Sequence, residues 1–168
     1  LLEKLGEGTV GFVWRARRLV DDRIVGIKTI NPRHVPAPAR KRAFEQIVSA
    51  LTRVGRLNHP NLQPGLGTAI RNTDSVFGLA FELLPGGTWG AMSPASDAAE
   101  LRRIYDLGAQ ALEVLSFLHG RGTVHGHITP HNIWIEPAES GPRLRLLDLC
   151  WAQARLSRRT ELPRRYAS

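Results

Sequence analysis

Glycines stand at positions 6, 8 and 11 in GEGTVGFV, and FVWRARRLV comes directly after them. A G-x-G-x-x-G run alone is weak evidence, because glycine-rich turns are common. The residues after the glycines constrain the fold more. In a dinucleotide-binding fold the glycines open a helix after a strand. Here the next residues are β-branched and aromatic at short spacing and predict a strand. Glycines between two antiparallel strands fit a loop that folds over nucleotide phosphates, because bare backbone lets N–H groups approach an anion. Val13 continues that loop into the strand. VGIK at 25–28 lies in the next strand. Lys28 sits among Ile27 and Ile30 in a chain with three lysines. A lysine on an inward strand position neutralises phosphate charge; the alternative is a surface lysine.

The rest of the chain alternates in a readable order. Asp21–Asp22 joins two β-rich runs as a hairpin. NPRHVPAPAR, with three prolines, predicts an irregular loop. Phe44, Ile47, Val48, Leu51, Val54 and Leu57 then form one apolar stripe at helical spacing, ending before His59–Pro60. Two strands come next, near 66–71 and 75–84, with RNTDS between them, and PGG at 85–87 reads as a flexible connector. A second helix has a capping box in Asp97 and Glu100. Its predicted buried face is Leu101, Ile104, Leu107, Leu112, Leu115 and Leu118, and Gly120 suits its end. Short strands come last, at IWIE and LRLLDL. The fold class is α+β.

With 168 residues, 42% hydrophobic and 23% charged, the chain can form one domain with a real core. Its one cysteine, Cys150, excludes an internal disulfide. VFGLAFELL, the longest apolar run, falls far short of the roughly 20 residues of a membrane span, and no secretory signal stands at the start. A cytoplasmic location is expected. The net charge of +8 comes mostly from scattered arginines without interleaved aromatics, so no nucleic-acid partner is expected. RLSRRTELPRR at 155–165 is the one dense cluster. A start at Leu1 with Met92 as the only methionine points to a piece of a longer polypeptide.

VHGHITPHN at 124–132 carries three histidines, His125, His127 and His131. The H-x-H-x3-H spacing admits a zinc reading, with Cys150 as a fourth ligand. The competing reading is a catalytic loop that has lost its catalytic residue.

Taken together, these motifs resemble a protein kinase domain of the eukaryotic type. Gly6, Gly8, Gly11 and Val13 match the glycine-rich loop, and Lys28 the lysine of V-A-I-K. HPNL at 59–62 resembles the segment after the regulatory helix, and FELLPGG the hinge. HGHITPHN resembles H-R-D-L-x-x-x-N, and DLC at 148–150 resembles D-F-G. The resemblance implies a bilobal fold. A β-rich N-lobe with one helix would occupy residues 1–84. The hinge and the first part of a helical C-lobe would occupy 85–168, stopping before the A-P-E segment.

It also implies ATP between the lobes with Mg2+ held by Asn132 and Asp148. Gly26, Phe81, Glu82, Leu84 and Trp134 would surround the adenine. Gly26 stands where alanine usually roofs it, Trp134 where leucine floors it, and Phe81 at the gatekeeper. The regulatory helix should offer a glutamate to Lys28. Glu45 is the nearby candidate, yet counting back from His59–Pro60 places Ala50 there. On this resemblance His125 is structural, and His127 replaces the catalytic aspartate. Thr129 replaces a phosphate-contacting lysine, and Gly126 the arginine that holds a phosphorylated activation loop. Ser157 and Thr160 are phosphorylation candidates. The expected function is a signalling pseudokinase, a regulatory or scaffolding module for another signalling protein or kinase. An active atypical serine/threonine kinase and an interaction domain with an occluded pocket are the alternatives.

Overall fold

The computed structural model describes residues 1–7, 11–30, 37–54, 56–71, 76–149 and 151. Gly8, Cys150, Ser157, Thr160, the 155–165 arginine cluster and most of RNTDS lie outside the described residues.

Five antiparallel strands make the first sheet. They are β1 (Glu3–Glu7), β2 (Gly11–Arg17), β3 (Ile24–Ile30), β4 (Gly65–Arg71) and β5 (Val76–Phe81), in the order β1-β2-β3-β5-β4. The β2–β3 hairpin turns where the paired aspartates predicted it. Asp22 takes φ +57°, a conformation Asp tolerates better than most residues, and Arg18 grips the Asp21 carboxylate. β5 ends at Phe81, short of the predicted 84. Its pairing with both neighbours stops there, at Gly26 and Gly65.

Helix α1 spans Ala37–Val54. It begins inside the stretch predicted as an irregular loop, because Pro38 falls in the first turn, where a missing N–H costs nothing. Its buried face is Ala43, Phe44, Ile47 and Ala50, packed on Ile30 and Leu79. Leu57 lies beyond the helix and packs against the other lobe.

Gly86 and Gly87 are not a loose connector. Gly86 takes φ +107° with its Cα against the Ile135 carbonyl, where a Cβ would come within 1.9 Å. Gly87–Thr88 forms β6, which pairs with β7 (Ile133–Glu136), and β7 with β8 (Arg143–Leu146). Between them runs α2, Ala98–His119. Asp97 caps it by accepting from the Glu100 N–H at 2.8 Å, and the Glu100 carboxylate accepts from the Ser96 N–H at 2.6 Å. Leu107, Val114 and Leu118 form its fully buried face. Leu101 and Leu112, predicted to join them, are 45% and 69% exposed. At 100° per residue they fall with Tyr105 on a second apolar stripe, well away from the first. Gly120 remains right-handed, and the left-handed turn after the helix falls to Gly122, φ +65°.

The segment after α1 joins the two lobes. Leu62 bridges to Leu146, with Leu146 N donating to Asn61 O at 2.8 Å and Gln63 N to Leu146 O at 3.0 Å. The buried Asn61 amide donates to Gln110 Oε1 on α2 and to Leu144 O on β8, at 2.9 and 2.7 Å. Asn61→Ala should therefore leave the Leu144 carbonyl unmet and Gln110 Oε1 with only the Leu144 N–H as donor. We expect a loss of about 1–3 kcal/mol in urea denaturation, against a few tenths for a surface Asn→Ala change.

Candidate nucleotide site

A cleft of about 780 Å³ opens between the two sheets, within the usual size of small-molecule sites. Gly6, Gly11, Val13, Lys28 and Phe81 line it from the first sheet, and Leu83 and Leu84 from the connector. His127, Thr129, Asn132, Trp134 and Asp148 line it from the second lobe. Of the expected residues, Gly26, Glu45 and Glu82 are not on its wall.

Two glycines show what the loop needs. At Gly11 an added Cβ would lie 2.1 Å from the Thr29 carbonyl, so the hairpin itself demands glycine. At Gly6 it would meet nothing within 4 Å among the described residues. The space before Gly6 is open to the cleft, as backbone approach by a phosphate requires.

Lys28 Nζ forms an ion pair with Asp148 Oδ2 at 2.5 Å, both side chains mostly buried. Asp148 takes φ +66°. Leu147 N donates to Asn132 O at 2.9 Å, which sets Asn132 beside the Leu147–Asp148 step. Lys28, Asn132 and Asp148 are thus brought to one cleft, with Lys28 and Asp148 paired across it. A cation there would meet the Asp148 carboxylate and the Asn132 side-chain oxygen, and an anion would meet Lys28. Oxygen donors of this kind suit Mg2+, so the residues present fit a magnesium nucleotide. Glu45 is not brought to Lys28. It is exposed on α1, because Phe44 and Ile47 turn the adjoining face into the core. Ala50, fully buried, holds the inward position without a carboxylate.

The histidine run resolves into separate roles. His125 is 1% exposed. Its Nε2 donates to Leu147 O at 2.9 Å, while its Nδ1 faces the His127 N–H at 3.4 Å. Asn132 Nδ2 donates both to His127 O at 2.9 Å and to His127 Nδ1 at 3.0 Å. The carbonyl fixes that amide end as the NH2, so His127 Nδ1 is an acceptor and the ring proton lies on Nε2. His131 is exposed at the cleft mouth. Among the described residues no group of three histidine, cysteine or acidic side chains is placed to hold a metal ion. Gly126 adopts φ +79°.

The β3–β5 end of the first sheet is built in an unexpected way. A Cβ on Gly26 would lie 2.2 Å from the Phe81 ring. The phenyl occupies the space that the usual alanine methyl needs, so Gly26 and Phe81 compensate one another across the β3–β5 pair. Trp134 lines the cleft, and its indole N–H donates to Pro85 O at 2.8 Å. Sequence reasoning also missed Trp151. It is buried, and Lys28 Nζ lies 5.0 Å from its ring centroid. A large aromatic three residues past Asp148 was the available signal.

The family model of the protein kinase domain matches residues 1–164. This chain belongs to the protein kinase family. The kinase domain is 29% identical over 138 residues to the serine/threonine-protein kinase pkn3 of Myxococcus xanthus, covering 82% of this chain and 24% of that protein. It is 29% identical over 137 residues to the DNA damage-responsive serine/threonine-protein kinase RqkA of Deinococcus radiodurans, 81% of this chain and 20% of that protein. It is 28% identical over 141 residues to the MAP kinase kinase kinase mkh1 of Schizosaccharomyces pombe, 80% of this chain and 12% of that protein. The kinase domain thus spans a quarter or less of these curated relatives. Protein kinases use ATP and Mg2+. No described helix of this one is long and apolar enough to cross a membrane.

Two outcomes test the geometry. Burial holds the His125 pKa below its ordinary 6.5, and the neutral ring is the one the fold binds. The unfolded chain therefore takes up the proton first. His125 contributes fully above that value, and its contribution is lost as pH falls through and below it. Denaturation at about pH 7.5 and 5.5 should show this loss, and His125→Gln should flatten it at lower overall stability. Separately, Gly26→Ala should cost about 1–3 kcal/mol through overpacking. Adding Phe81→Leu should recover most of that in thermal melts.

Proposed function

We propose that this kinase domain is a pseudokinase that binds Mg-ATP weakly, transfers little or no phosphate, and serves as a regulatory or scaffolding module for another signalling protein. The observation that carries the reading is the state of His127. The aspartate of an active kinase accepts the substrate hydroxyl's proton and places negative charge beside the attacking oxygen. His127 carries no negative charge when neutral. Its Nδ1 lone pair is taken by the Asn132 amide, and its other nitrogen bears the proton. The group at the acceptor position is therefore a donor. Thr129 offers no cation where the family uses a lysine. These features tell against the active-kinase alternative.

Retained nucleotide binding is supported by the open cleft and by Lys28, Asn132 and Asp148 lining it. An occluded pocket has less support, because the Trp134 indole is anchored on the Pro85 carbonyl at the side of the cleft. On this reading Lys28 would face the nucleotide phosphates, and Asn132 and Asp148 would hold the metal.

The test is phosphotransfer by the full-length protein with radiolabelled ATP, beside a His127→Asp variant. The wild type should run at least about 10²-fold below the roughly 1–100 s⁻¹ of active kinases. His127→Asp should raise the rate without reaching that range, since Thr129 remains. Wild-type turnover within that range would overturn the pseudokinase reading.

A further inference from the structure

Among the described residues Lys28 meets two partners, neither of them the expected Glu45. The first is Asp148, at 2.5 Å. The second is the face of Trp151, whose ring centroid lies 5.0 Å from Nζ, inside the roughly 6 Å reach of a cation–π contact. Trp151 is 5% exposed and seated in the N-lobe core beside Phe44, Ile47 and Ala50. Leu149, two residues earlier, packs into the opposite core with Leu62 and Leu107. Asp148 and its neighbours are thus pinned to both lobes.

Ala50 explains why the indole is there. It is fully buried at the inward position of α1, and its methyl group cannot reach Lys28. Glu45 faces solvent. We propose that Trp151 is the positioning residue for Lys28, its indole standing in for the carboxylate that α1 does not supply. The inference rests on the reading of Lys28 as the cation that faces nucleotide phosphate. A ring face attracts the ammonium through its quadrupole but carries no net charge. The ring face therefore orients Lys28 without neutralising it, and an anion competes for the ammonium with Asp148 alone of these two partners.

The test is a double-mutant cycle in the full-length protein, with K28M and W151M made singly and together and unfolded in urea. K28M keeps the stem and removes the charge; W151M keeps an apolar filler and removes the ring face. The unfolding equilibrium constants should be non-additive by about 3- to 30-fold, and W151F should recover much of the coupling. Additive effects, within about twofold, would overturn the proposal. Should W151M fail to fold, fluorinated tryptophans incorporated at the tryptophan positions give a second measurement. They drain the ring face at nearly constant volume. Stability should fall with each added fluorine more steeply in the wild type than in K28M, and equal slopes would overturn the proposal. Neither measurement uses nucleotide. A protein that shows the coupling but binds no ATP would sink the functional reading and leave the role of Trp151 standing; one that binds ATP with additive variants would do the reverse.

Discussion

The ion pair between Lys28 and Asp148 joins residues 120 positions apart in the chain. It ties the middle of the five-stranded sheet to the segment leaving the small one. Both side chains are mostly buried, so neither charge is well hydrated, and each needs the other. The surroundings serve that pairing. The β2–β3 register puts Lys28 beside Val13 on the cleft side of the sheet. The Asn132 carbonyl holds Leu147, which fixes where Asp148 begins. Leu149 and Trp151 then pin the chain above and below. A ligand that draws Lys28 toward an anion, or Asp148 toward a cation, must loosen this pair, which is a physical reason to expect weak nucleotide binding.

Much of the fold was legible because it rests on local rules. The glycines leading into a strand, the Asp21–Asp22 turn, the Asp97 cap and the strand IWIE all depend on neighbours in sequence, whereas the strand expected over LRLLDL ends at Leu146, before the left-handed Asp148. Burial was harder to read. Helix α2 is apolar on two faces, and periodicity alone does not say which faces the core. Leu101 and Leu112 were therefore misplaced while Leu107 and Leu118 were not. The same limit hid the Asn61–Gln110 contact, in which two ordinary polar residues meet across 49 positions.

The site was legible where a family motif carried it and opaque where two departures compensate each other. Lys28, Asn132, Trp134, His127 and Asp148 reach the cleft as the motif spacing implied. Gly26 does not, because Phe81 fills its space, a trade between strands that no single position reveals. Glu45 fails on helical phase: with Phe44 and Ile47 inward, position 45 must point out. Counting from His59–Pro60 reached the inward position, Ala50, which carries no carboxylate. The three histidines looked like a metal set in one dimension. In three dimensions two of their rings are spoken for by Leu147 and Asn132.

A nucleotide site that survives without a proton acceptor should reveal itself in calorimetric titration of ATP into the full-length protein, with Mg2+ and again with EDTA. We expect weak binding that needs Mg2+, because Asp148 and Asn132 would engage the metal while Lys28 meets the phosphates. No heat of binding at millimolar Mg-ATP would refute such a site and would leave the domain as an interaction module.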